Sequence, residues 1–184
     1  MNEIRYTNWM SPLGEMLLAA SDAGLAGAWF AGQRHFDGPH ASWLRDDAHP
    51  VLREASRQLQ SYFDARLRAF GLPLAPIGTA FQRAVWHAIA AVPYGTTTTY
   101  AALAQAAGAS GAARAAGAAT GRNPLSIIVP CHRIVGTHGA LTGYAGGLDR
   151  KRALLALEAG AFELRASQAA PRATPRREAR ALHP

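Results

Sequence analysis

Cysteine is almost missing from this sequence: 184 residues contain one, Cys131. A single thiol excludes an internal disulfide and any metal site built from two or more thiolates of the same chain. Lysine is equally scarce, with Lys151 the only one among 19 basic residues. No run approaches the ~20 consecutive apolar residues of a membrane span. The first residues, Met1-Asn2-Glu3-Ile4-Arg5, lack the basic-then-apolar order of a signal peptide. These absences point to a cytoplasmic protein with no membrane attachment.

What is present suits a folded protein. Apolar residues make up 49% and charged residues 17%, and the length admits one large or two small domains. The net charge is +7, and the stretch from Ala166 to Pro184 holds four Arg and one Glu. A basic balance favours a polyanionic partner such as nucleic acid. The tail reads as disordered, adding weak electrostatic affinity.

Residues 2–31 read as a β-meander, with turns at Ser11-Pro12-Leu13-Gly14 and Asp22-Ala23-Gly24. From Ala31 to Pro50 the composition is that of a surface loop. Val51, Leu52, Ala55, Leu59, Tyr62, Phe63 and Leu67 then recur at helical spacing, predicting an amphipathic helix to about Arg68. Nothing in residues 1–70 clusters like a site. Gly71-Leu72-Pro73-Leu74-Ala75-Pro76 reads as a linker, because two prolines break both helix and sheet.

After the linker, Thr79-Ala80-Phe81-Gln82 fits a capping box that opens a helix through about Ala91. Thr98 or Thr99 can cap a short helix, Tyr100–Ala107, with Gly108 at its left-handed end. Ser110 can cap a second, Gly111–Ala119, which gives the pair the shape of a helix-turn-helix. Apart from Arg114, every side chain of that second helix is a methyl or a hydrogen. A major-groove reader would need several polar side chains there. The alternatives are close packing on a neighbour, or a backbone that approaches a ligand closely.

The apolar run Ile127-Ile128-Val129-Pro130, of strand type, leads to Cys131, and His132 and Arg133 follow at once. A buried structural cysteine needs no such company, whereas a reactive one works as a thiolate stabilised by cationic or hydrogen-bonding neighbours. A glycine-rich loop follows, with Tyr144 its aromatic member. Asp149 can cap a last helix, Arg150–Ala159. Its final turn carries Glu158, where a carboxylate opposes the helix dipole unless a partner such as His132 removes the conflict.

Taken together these residues resemble the O6-alkylguanine-DNA alkyltransferases, and the bacterial members in particular. The likeness rests on Asn123-Pro124, Ile128-Val129-Pro130-Cys131-His132-Arg133, Gly143-Tyr144-Ala145-Gly146-Gly147, Leu154-Leu155 and Glu158 in order and spacing. Phe81-Gln82-Arg83-Ala84-Val85-Trp86, Pro93-Tyr94-Gly95, Tyr100 and Ala112-Ala113-Arg114-Ala115 extend it upstream. It covers residues 2 to about 162.

The resemblance implies an N-terminal ribonuclease-H-like α/β domain (1–74), an alkyltransferase domain with the helix-turn-helix and the cysteine (75–165), and the basic tail (166–184). It implies irreversible transfer of an alkyl group from O6-alkylguanine in double-stranded DNA to Cys131, once per molecule. His132 would act as base through a water, oriented by Glu158 and braced by Asn123, with Tyr100 assisting the departing guanine. Arg114, Tyr100, Ala101, Ala113, Gln82 and Thr137 would contact DNA in the minor groove around a flipped base. Tyr144, Ala145, Gly146 and Val135 would hold that base. No cofactor, no metal and a monomer are implied. Preference over O4-alkylthymine, and the range of alkyl groups, are left open.

Rival readings are a binding-only relative, a cysteine hydrolase and a transcription factor. Binding-only relatives lack the nucleophile, hydrolases bring base and nucleophile from separate segments, and sequence readers need more than one polar side chain on the helix.

Overall fold

The computed structural model describes residues 3–160, and the basic tail expected from residue 166 lies outside the described residues. Three strands form the expected meander: β1 (Arg5–Ser11), β2 (Gly14–Ser21) and β3 (Gly24–Phe30). Ser11 pairs with Gly14 and Ser21 with Gly24, so each turn is two residues long. Gly24, at φ 135°, lies where an added Cβ would come within 2.4 Å of Pro73 O, so only glycine fits. A two-residue strand, β4 (Leu44–Arg45), pairs parallel with β1 at the far edge and interrupts what reads as a continuous loop.

Helix α1 (Pro50–Phe63) lays Leu52, Ala55, Leu59, Tyr62 and Phe63 against this sheet. It begins on Pro50, whose missing N–H costs nothing in a first turn. It stops five residues before Arg68. Ala65 takes a left-handed φ of 56°, and the N–H groups of Arg66 and Leu67 both return to Ser61 O, closing the helix. Leu67 still packs on the core from the segment that follows.

The proline-rich segment does not hang free. Leu25 N donates to Pro73 O and Ala75 N to Leu25 O, which stitches it to β3 by one parallel bridge. Helices α2 (Ala80–Ala90), α3 (Tyr100–Ala106), α4 (Ala113–Gly121) and α5 (Leu148–Glu158) follow, with a two-stranded parallel pair of β5 (Thr98–Thr99) and β6 (Ile134–Val135). The capping box at Thr79 and Gln82 is complete, and Thr99 accepts from Ala102 N at 3.2 Å.

Two expected caps fail. Gly108 and Gly111 both take positive φ, so the connecting loop runs longer and α4 starts at Ala113, with Ala112 at its N-cap and Ser110 outside. Gly147, at φ 92°, starts α5 two residues early, so Asp149 lies in the first turn, where it favours the helix dipole without capping.

One apolar cluster runs from Met16, Leu18 and Phe30 through Leu59 to Ile89, Leu103, Ala116 and Leu154, so both halves of the chain share a core. The apolar run before Cys131 lies inside it and is not a strand. Leu125 makes a single bridge to Ala28, and Val129 N turns back to Leu125 O. Ile127 is fully buried at φ 72°, a conformation that a β-branched residue takes only when its surroundings impose it.

Candidate active site

Cys131 opens a short 3-10 turn, Cys131–Arg133, directly after the buried bend. Its sulfur accepts from Asn123 Nδ2 at 3.1 Å, and the same nitrogen donates to Val129 O at 2.8 Å. Asn123 Oδ1 accepts from Leu125 N at 3.0 Å, so one buried side chain ties both ends of the bend. Burial pushes the Cys131 thiol up to about 11, and the Asn123 hydrogen bond and the charge of Lys151 only partly offset it. At neutral pH the resting group is therefore a thiol, and a base has to remove its proton.

A candidate for that base lies beside it in sequence. His132 Nε2 stands 2.7 Å from Glu158 Oε1. Arg133 grips the same carboxylate with two donors, Nε to Oε2 and Nη2 to Oε1, both at 2.9 Å. Gly95 N donates to Oε2 at 3.0 Å, and Tyr62 OH donates to Oε1 at 2.8 Å. Burial works to raise the pKa of Glu158, but the hydrogen bonds of His132 and Arg133 outweigh it and hold the carboxyl at about 2. His132, fully buried, is pushed below its ordinary value by desolvation and is neutral near pH 7. With Nε2–H given to the carboxylate, Nδ1 is the free lone pair, and it makes no hydrogen bond among the described residues. No direct hydrogen bond joins the His132 ring to the sulfur.

Glu158 is thus not an exposed carboxylate at a helix end. Arg133 likewise does not act on the thiol as the sequence suggests, since its guanidinium is committed to Glu158 and to Val92 O. The cation that favours the thiolate is Lys151. It is fully buried, and its Nζ donates to Ile134 O at 2.5 Å, Thr142 O at 2.7 Å and Gly143 O at 3.3 Å. Burial lowers its pKa to about 8. Those bonds tie the glycine-rich loop to β6, next to the cysteine turn.

In front of Cys131 lies a cavity of about 170 Å³. Tyr100, Tyr144 and Ala145 line it, as expected, and so do Gly117, Ala118 and Gly121 of α4. The bare helix packs closely on its neighbours with one face and lines the cavity with the other. Ala116 and Ala119 pack inward, Trp86 Nε1 donates to Ala119 O, and the other face walls the cavity. Tyr100 OH donates toward Thr142 O and Gly143 O at 3.2 and 3.3 Å, and burial raises its pKa, so the phenol keeps its proton.

Other expected residues stand apart. Val135 and Gly146 are buried and do not line the cavity. An added Cβ on Gly146 would lie 2.8 Å from Tyr144 and 3.1 Å from Phe30, so this glycine adds close packing rather than room. Ala101, Arg114 and Thr137 are exposed, Ala113 is half-buried, and Gln82 spends its Oε1 on Thr79 N.

The first 70 residues do contribute, contrary to the sequence reading. Tyr62 reaches Glu158, Arg34 and His35 line the cavity, and Arg34 N donates to Ala145 O at 3.0 Å. A signal for Tyr62 exists only in retrospect, as a hydroxyl on an otherwise apolar stripe.

Two family models match the chain: the ribonuclease-like domain of 6-O-methylguanine DNA methyltransferases over residues 4–76, and their DNA-binding domain over residues 80–160. A methylated-DNA–protein-cysteine methyltransferase of Methanosarcina acetivorans is 47% identical over 83% of this chain and 97% of its own. The protein of that name from Mycolicibacterium paratuberculosis is 43% identical over 84% and 92%. Mycobacterium tuberculosis OGT, solved in complex with DNA, superposes with a TM-score of 0.78 at 42% identity, covering 85% of this chain and 94% of its own. With both halves matched in order and near-complete coverage of these relatives, the chain belongs to the methylated-DNA–protein-cysteine methyltransferase family.

Proposed function

We propose that this protein repairs alkylated DNA by taking the alkyl group of O6-alkylguanine onto Cys131, once and irreversibly. The observation that carries the reading is the placement of one buried thiol between a cavity and a base. The thiol proton passes through a bridging water to His132 Nδ1, while Glu158 holds the ring by Nε2–H. Sulfur attacks the alkyl carbon in line, the carbon–oxygen bond breaks, and guanine leaves with the electron pair. Tyr100, still protonated, is suited to donate a hydrogen bond or a proton to that leaving group. A thioether has no route back, so the protein is a stoichiometric reagent and an S-methyltransferase acting on itself.

Duplex DNA is the partner, in keeping with the DNA-binding model and the DNA complex of the relative. We assign α3 and α4 as a helix-turn-helix in the minor groove, with Arg114 entering the stack and Ala101, Ala113, Gln82 and Thr137 near the backbone. Flipping the base costs a few kcal/mol, least for a poorly paired lesion. Tyr144, Ala145, Gly146 and Val135 belong to the part that receives it. The division near residue 74, a monomer and a cytoplasmic setting complete the reading. No helix among the described residues is long and apolar enough to cross a membrane.

The test is intact mass after mixing with a duplex that carries one O6-methylguanine. The expected result is a gain of one methyl group, on Cys131, saturating at one equivalent. No gain, or product beyond one equivalent, would overturn the proposal.

A further inference from the structure

We infer that Tyr62 is a positioning residue of the transfer reaction: its hydroxyl, brought from α1, completes the donor set that fixes Glu158 against His132. The inference rests on the function proposed above.

Glu158 Oε1 receives three donors, from Tyr62, His132 and Arg133, and Oε2 receives two, from Arg133 and Gly95. Four of these come from the second half of the chain. The fifth crosses from a residue 96 positions away. Tyr62 has no freedom to point elsewhere. Its ring is fully buried, edge-on to Phe63 at 5.5 Å and to Tyr94 at 6.2 Å, with Phe70 at 5.7 Å. A buried phenol without a partner is unfavourable, and its partners among the described residues are Glu158 at 2.8 Å and, more weakly, His132 Nε2 at 3.5 Å. Burial and the charge of Glu158 push its pKa up, so it donates throughout the working range.

Packing alone does not call for the hydroxyl, since phenylalanine would fill the same space. What the hydroxyl adds is a share in dispersing the carboxylate charge. Glu158 with fewer donors is a stronger base, and draws His132 toward the imidazolium form, which cannot accept the thiol proton. The other charged and titratable groups around this pair are Arg133, Lys151, Cys131 and Tyr94, the last with Arg68 over its ring. None of them replaces the lost donor. Through this one bond the sheet domain takes part in setting the base.

The test uses the full chain with Tyr62→Phe, Glu158→Gln and the double variant. Single-turnover transfer from a duplex with one O6-methylguanine is followed against pH, alongside duplex affinity. Y62F is expected to slow transfer up to about 3-fold near neutrality and about 10-fold on the acid limb, which moves up by about one pH unit, with duplex affinity unchanged. In the E158Q background Y62F should add nothing, because both act through one carboxylate. An unmoved profile, or a loss that adds in full to that of E158Q, would overturn the inference. If Y62F melts near the assay temperature, the His132 ring nitrogen shifts decide at lower temperature. A raised titration midpoint supports the role and an unchanged one refutes it. A parent chain that never gains a methyl group would sink the proposed function instead.

Discussion

Cys131 lies between two surfaces of opposite construction. Behind it is a buried polar network in which one carboxylate holds five hydrogen bonds from Tyr62, His132, Arg133 and Gly95. In front of it is a wall of glycine and alanine with one exposed arginine, Arg114, on the same helix. The rear is specified by charge and costs a great deal to disturb, because each partner removed leaves another buried and unpaired. The front is specified by the absence of side chains, and its helix is cheap to alter but easy to obstruct. A reagent that reacts once needs a reactive group held still on one side and free access on the other.

Removing the group that both surfaces share gives the largest effect. Cys131→Ala should abolish alkyl transfer, with intact mass unchanged after incubation, while a gel-shift titration shows duplex binding retained. Loss of binding together with transfer would show that the two surfaces are not separable.

Glu158→Gln breaks the rear alone. It should slow transfer about 10²–10³-fold, as expected for loss of an oriented general base, and destabilise the fold by about 3–5 kcal/mol by stranding Arg133. The pH dependence has a definite sign. The folded-state pKa of Glu158 is depressed to about 2 from 4.5, so its contribution is complete above 4.5 and lost as pH falls toward 2. His132 is also depressed, below 6.5, so the unfolded chain takes up that proton first and stability starts to fall as pH drops below 6.5. Denaturant unfolding across pH should show both limbs in the parent, and only the histidine limb in E158Q.

Lys151→Met keeps the volume and removes the donor shared by Ile134, Thr142 and Gly143. A loss of about 1–3 kcal/mol and a several-fold slower reaction are expected, read by thermal melts and single-turnover rates. The smallest effects concern the front helices. Thr99→Ala should cost about 1 kcal/mol as a lost cap, and Ser110→Ala within about 0.5 kcal/mol of nothing, since Ser110 caps no helix. Equal losses would mean that α4 begins earlier than Ala113.

The front was more legible in the sequence than the rear. The bare helix and the capping residues at Thr79 and Thr99 are local patterns, whereas the roles of Tyr100 and Asn123 came only with the family resemblance. Glu158 was readable because an acid in a last helical turn breaks a local rule. Tyr62 was not, because an amphipathic stripe reports only that a face is buried and says nothing of what its one hydroxyl meets 96 residues later. Arg133 was misjudged, and Lys151 passed over, for a related reason. Adjacency to Cys131 suggested that Arg133 acts on sulfur, whereas the fold turns it to Glu158 and brings in Lys151 from α5. Strand propensity likewise misled at Ile127, where tertiary packing imposes a left-handed bend.

The separation of the two surfaces is tested most directly by comparing Arg114→Ala and Glu158→Gln on duplex O6-methylguanine and on the free base, by single-turnover rates. R114A should lose activity on the duplex and keep it on the free base, while E158Q should lose it by the same factor on both. Equal losses of R114A on the two substrates, or a loss of E158Q confined to duplex, would contradict a device in which one face presents the base and the other prepares the thiol.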